Sequence, residues 1–130
     1  MMGGDYSALA FCKEADSLKL VYFESETIKE KAAIKDTKTK ERKEEKILFT
    51  VTVDDKTSVA TLRLSFDKNK VCRMYYRLGG HTEFAEIPYS SVPKDHTWVG
   101  AKIGIFSTTL ESCSNHGFAD FTNVLVTRAN

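Results

Sequence analysis

Asp120 lies between Ala119 and Phe121, and a carboxylate in so apolar a setting is where acid or base chemistry would be sought. Glycoside cleavage needs two carboxylates facing each other across roughly 5 to 10 Å, one of them with its pKa raised by burial. No second carboxylate suggests itself as a partner, so Asp120 is read as a buried structural residue accepting backbone N–H bonds. His81 and Glu83 are two apart on an expected strand and so share a face, and Cys113 and His116 form a Cys-x-x-His pair. These are zinc-ligand types, but two separated pairs fall short of the tight four-ligand spacing that a zinc site shows. No metal or cofactor is expected. There is no Gly-x-Ser-x-Gly elbow for a nucleophile and no phosphate-cradling glycine loop. Trp98, the sole tryptophan, stands before Val99 and the run Ile103 to Phe106 and reads as a core or rim anchor more than a stacking platform.

A polar strip is the better candidate for binding. If Ala60, Leu62, Leu64 and Phe66 face the core together with Cys72, Met74 and Tyr76, the other side of the same two strands carries Thr61, Arg63, Ser65, Arg73, Tyr75 and Arg77. Sugar recognition needs a flat side chain against the apolar face of the ring and forked donors for its hydroxyls. Tyr75 and the arginines Arg63, Arg73 and Arg77 are of those types. The plainer reading of the strip is the wet side of an antiparallel sheet.

Strands must position these groups, because period-two alternation recurs along the chain. Ser17–Tyr22 places Leu18, Leu20 and Tyr22 on one face, and Ile47–Val53 places Ile47, Phe49, Val51 and Val53 on one face. A turn at Asp54-Asp55-Lys56 predicts that 47–53 and 58–66 form a hairpin. A second turn at Asp67–Lys70 leads into a strand over 71–77, with Leu78-Gly79-Gly80 reversing the chain into a partner strand from His81 to Ile87. Pro88 and Pro93 punctuate the loop beyond, and strands are expected over 98–106 and 117–126. Glu24 to Lys46 is rich in Lys and Glu, and propensity alone favours a helix there. Its apolar residues Ile28, Ala32, Ala33 and Ile34 make a thin stripe, so an edge strand and a solvated loop are preferred, with a surface helix as the competing reading. The class expected is all-β, an antiparallel sandwich or barrel.

A length of 130 residues fits one module spanning 1–130. Nineteen basic and eighteen acidic side chains leave a net charge of +1, which draws the chain neither to nucleic acid nor to an anionic membrane. Even Lys29 to Lys46, with eight basic and five acidic residues, offers little counterion release. Three separated cysteines, Cys12, Cys72 and Cys113, do not make a disulfide framework and are expected as buried thiols. The N-terminus has no basic and apolar signal pattern, so the chain as written reads as cytoplasmic.

The order Trp98-Val99-Gly100-Ala101-Lys102-Ile103-Gly104-Ile105-Phe106 and then Gly117-Phe118-Ala119-Asp120-Phe121 resembles the end of the concanavalin A-like β-sandwich appended to family 43 glycoside hydrolases, the β-xylosidase and arabinofuranosidase group. Cys72-Arg73-Met74-Tyr75-Tyr76 with Gly79-Gly80, Phe84 and Ile87 resembles that domain's hairpin, and Gly4-Asp5-Tyr6 followed by Leu9 an earlier strand. The turn departs from the family's usual Ser-Asp-Gly type. The resemblance implies a jelly-roll sandwich without a catalytic centre of its own, since the family's acid and base carboxylates sit on a separate propeller domain. It implies a glycosidase catalytic domain and a xylan or arabinan oligosaccharide as partners. It also implies strands before Gly3, so the chain is expected to be a sandwich incomplete at its N-terminus, self-associating as a homo-oligomer through an open sheet edge.

Overall fold

In the computed structural model, residues 5–14, 17–30, 40–54, 57, 59–93, 102–108 and 119–128 are described. They carry six strands: β1 (Tyr6–Glu14), β2 (Ser17–Glu30), β3 (Lys40–Val53), β4 (Ala60–Phe66), β5 (Cys72–Leu78) and β6 (Ala85–Ser91). All pairings are antiparallel, in one sheet of order β1-β2-β3 and a second of order β4-β5-β6. Leu9, Leu20, Tyr22 and Val53 from the first sheet meet Cys72, Met74 and Ile87 from the second in the core. The all-β sandwich expected from the alternation is the observed fold.

Leu18, Leu20 and Tyr22 do share the core face, and Leu20 is fully buried. The face of β3 needs a correction. Tyr22 pairs with Phe49 but Phe23 pairs with Ile47, so Leu48 is an extra residue in the ladder. A bulge of this kind inverts the alternation beyond it. Phe49, Val51 and Val53 therefore stay on the core side while Ile47 turns outward, 62% exposed, and Leu48 packs against the core instead.

The stretch from Glu24 to Lys46 is more regular than expected. Its described parts lengthen β2 and β3 to 14 residues each, and β3 is an edge strand of its sheet. Residues 31–39 lie outside the described set. Cross-strand pairing overrides helix propensity here: Glu24 stands opposite Lys46, and the backbone register continues to Glu30 opposite Lys40. Tyr6 of β1 donates a hydrogen bond to Glu45 of β3 across Ser25 of β2, and its ring meets Phe23 edge-on at 6.0 Å.

The hairpin expected between 47–53 and 58–66 is not formed. A backbone bond from Thr57 N–H to the Asp54 carbonyl, 2.8 Å, reverses the chain, but β3 pairs with β2 and β4 with β5, so this connection crosses between sheets. Turn chemistry specifies a change of direction and not which strand receives the chain. β6 also differs from its expected bounds, running Ala85–Ser91 through Pro88. The proline is tolerated because β6 is an edge strand and its register against β5 shifts between Arg73 and Tyr75.

Of the strands expected over 98–106 and 117–126, the described parts, 102–106 and 119–126, belong to no ladder among the described residues. Ile103, Ile105, Phe121, Val124, Leu125 and Val126 are all more than half exposed. Alternation confers two faces on a segment but supplies no partner, and no described strand is paired with these. Of the expected buried thiols, Cys72 is buried and Cys12 only half-buried; Cys113 lies outside the described residues.

The β4–β5 turn has a mutable weak point. The Lys70 N–H donates to the Asp67 carbonyl at 3.0 Å and the Asp67 N–H to the Val71 carbonyl at 3.2 Å, which forces Lys70 to a φ of 63°. A side chain there costs about 1 kcal/mol that glycine does not. Lys70→Gly is expected to raise stability by up to about 1 kcal/mol, read as a higher urea midpoint at unchanged m. A lower midpoint would show that Lys70 is not held in this conformation.

Candidate functional site on the second sheet

The ladder between β4 and β5 places Thr61 opposite Arg77, Arg63 opposite Tyr75 and Ser65 opposite Arg73. Directly opposed residues point to the same side of a sheet. The six polar positions of the expected strip therefore share one face, and Leu62, Leu64 and Phe66, opposite Tyr76, Met74 and Cys72, share the other. β5 carries the sharper division: Cys72 and Met74 are buried, and Arg73, Tyr75 and Arg77 are half-buried on the outer side. β4 is a correction. Its core-side residues remain 37% (Leu62), 41% (Leu64) and 38% (Phe66) exposed: β4 is an edge strand, and none of its residues belongs to the buried core cluster.

The arginines of the strip have different surroundings. Arg73 donates to Asp67 at 3.2 Å and lies 3.7 Å from Glu86, so two carboxylates hold it. Asp67 itself accepts the Val71 and Asn69 amides at 3.0 and 2.8 Å. The Val71 amide first of all, and then the Asn69 amide and the Arg73 guanidinium, keep its carboxyl below the ordinary aspartate value. Arg63 and Arg77 instead lie over the ring of Phe84, at 4.3 and 4.7 Å from its centroid. Two open depressions flank the strip, one of about 340 Å³ beside Arg73, Glu86 and Ser90, the other of about 210 Å³ beside Thr61, Arg77 and His81.

The β5–β6 connection that presents Phe84 depends on glycine. The His81 N–H donates to the Leu78 carbonyl at 3.1 Å, and Gly80 takes a φ of 85°, the positive angle a type II turn requires at that position. The Gly79 N–H donates to the Val59 carbonyl at 2.9 Å, leaving no room for a side chain without a shift.

The family of the β-xylosidase C-terminal concanavalin A-like domain matches residues 2–126, nearly the whole chain. The chain belongs to that family. No curated protein and no solved structure gives a significant match. The resemblance inferred from the hairpin and the final segments is thus correct, and the match also takes in the segments before residue 58.

Other candidate residues of this concanavalin A-like domain fall differently from their sequence reading. Asp120 is exposed, not buried, because the segment carrying Ala119 and Phe121 packs under nothing described. His81 and Glu83 are exposed in the loop before β6 and not on a strand. Trp98, Cys113 and His116 lie outside the described residues. Phe84 was not read as a site residue. Its signal was parity: Ile87 is in the core, so Ala85 shares its side while Glu86 and Phe84 fall on the outer one.

Proposed function

We propose that this domain is a non-catalytic accessory module of a glycoside hydrolase, and that the outer face of β4 and β5 makes weak contacts to plant-type oligosaccharides such as xylan or arabinan fragments. One observation supports the sugar reading: Tyr75 stands in register between arginine-bearing positions on a single solvent face. Its ring offers a flat surface for the C–H side of a pyranose, and the guanidiniums offer donors for hydroxyls. In a family whose acid and base carboxylates reside on a separate propeller domain, such a face would hold substrate near chemistry done elsewhere.

Titration with neutral xylo- and arabino-oligosaccharides, followed by amide chemical shifts, is expected to give saturable changes along β4 and β5. Tyr75→Ala should weaken that binding about tenfold, the loss of one aromatic contact. The fold should survive, since Tyr75 is only half-buried on the outer face. Absence of saturable shifts would refute the reading.

A second reading, self-association without sugar affinity, is favoured by the exposed row Leu62, Leu64 and Phe66 on the core side of β4. It predicts a light-scattering mass of two chains that persists on dilution and reverts to one in Leu64→Lys. A monomer at all concentrations would remove it.

A further inference from the structure

The pairing of Arg63 and Arg77 on one ring has a chemical consequence beyond weak sugar contact. Their guanidinium carbons are 4.3 and 4.7 Å from the Phe84 centroid, so they are at most about 9 Å apart, the sum of the two distances. Two like charges on one ring raise the positive potential there, which an anionic ligand would relieve and which solvent and salt otherwise screen in part. Among the described residues neither has a carboxylate partner: Asp67 and Glu86 are both engaged with Arg73, and Glu83, one residue before Phe84, forms no ion pair with either. Contact with the Phe84 ring limits the freedom of both guanidiniums, which lowers the entropy lost when their N–H groups engage a ligand. Tyr75, directly opposite Arg63, supplies a flat surface beside this charge.

We infer that Arg63 and Arg77, braced by Phe84, form a site for the carboxylate of an acidic sugar, a uronate carried on an otherwise neutral oligosaccharide. The inference rests on the carbohydrate reading of this face and narrows it to a substrate class. The carboxylate accepts forked N–H bonds from the guanidiniums while the sugar ring lies toward Tyr75. An inorganic oxyanion shares the charge but has no ring to stack.

The test uses the full chain and three probes: a neutral xylo-oligosaccharide, a xylo-oligosaccharide of the same length carrying one glucuronate branch, and inorganic sulfate. Binding is read by amide shifts and by calorimetry. The glucuronate-bearing probe is expected to bind at least tenfold more tightly than the neutral one and to weaken as salt rises. Arg63→Gln and Arg77→Gln should each remove about tenfold of that affinity and weaken neutral binding by a much smaller factor, so that the preference for the acidic probe narrows. Phe84→Leu, which keeps both charges but removes the stacking ring, should weaken acidic binding as well.

Equal affinity for acidic and neutral probes overturns the inference and leaves the broader sugar reading standing. Sulfate binding as tightly as the glucuronate-bearing probe, and displacing it, overturns the sugar assignment and leaves an anion site only. If no probe binds while the amide spectrum stays dispersed, both readings fall.

Discussion

Leu20→Ala is expected to remove about 3 kcal/mol of folding stability, within the range for a buried leucine whose cavity cannot fully collapse. Leu20 is 0% exposed and lies in the core with Tyr22 and Val53 of its own sheet and Met74 and Ile87 of the other. A domain of this size has roughly 5 to 15 kcal/mol in all, so the variant should unfold at a much lower urea concentration with little change in m. Ile47→Ala is the matched control. The bulge at Leu48 turns Ile47 outward to 62% exposure, and its truncation should cost less than about 0.5 kcal/mol. Similar losses in the two variants would mean that Ile47 points into the core and that the β2–β3 register is wrong.

The second large effect is a pH dependence set by Tyr22. Its ring is stacked on Tyr89 of β6, centroids 5.7 Å apart and 12° from parallel, and its hydroxyl donates to Glu24 at 2.7 Å. Nearby, the hydroxyls of Ser7 and Ser91 lie 2.9 Å apart and join the sheets. Burial first, and the Glu24 carboxylate second, push the phenol from its ordinary value of 10.0 up to about 12. The folded chain thus keeps the proton where the unfolded chain has lost it. Stability from this group is complete below pH 10 and is lost as pH rises toward 12. Tyr22→Phe gives up the bond to Glu24 at neutral pH, about 1 kcal/mol, but has no phenol to ionise. Relative to Tyr22→Phe, the wild-type chain should lose on the order of 2 kcal/mol between pH 9 and 12. Tyr6, whose hydroxyl is also raised by burial and by Glu45, titrates in both proteins and cancels in the difference. A constant difference across this range would show that Tyr22 ionises normally and is not enclosed between the sheets.

Much of the candidate site was legible because it depends on local parity. Arg63, Tyr75 and Arg77 alternate with Leu62, Met74 and Tyr76, and two strands joined by the short Asp67–Lys70 turn must pair antiparallel with a set register. The face they share follows from those two facts alone. The same parity worked for Leu18, Leu20 and Tyr22. It failed at Ile47, where one added residue in the ladder inverted the sides, and nothing in the run Ile47–Val53 marks Leu48 as the extra residue. It also failed to place Asp120, since an apolar neighbourhood in sequence buries a carboxylate only when another layer covers it.

The amino-acid sequence by itself determined the all-β class, the family, the β4–β5 hairpin and the polar strip upon it. These rest on period-two alternation, short turns and residue types, all of them interactions between near neighbours in the chain. Only the tertiary structure decided that β3 and β4 part into different sheets, that Leu62, Leu64 and Phe66 stay exposed on the core side, and that Phe84 gathers Arg63 and Arg77 while Asp67 and Glu86 hold Arg73. Each of those outcomes depends on which distant segment lies across from a residue. Pattern along one strand sets where a side chain points, and the packing of strands remote in sequence sets what it meets.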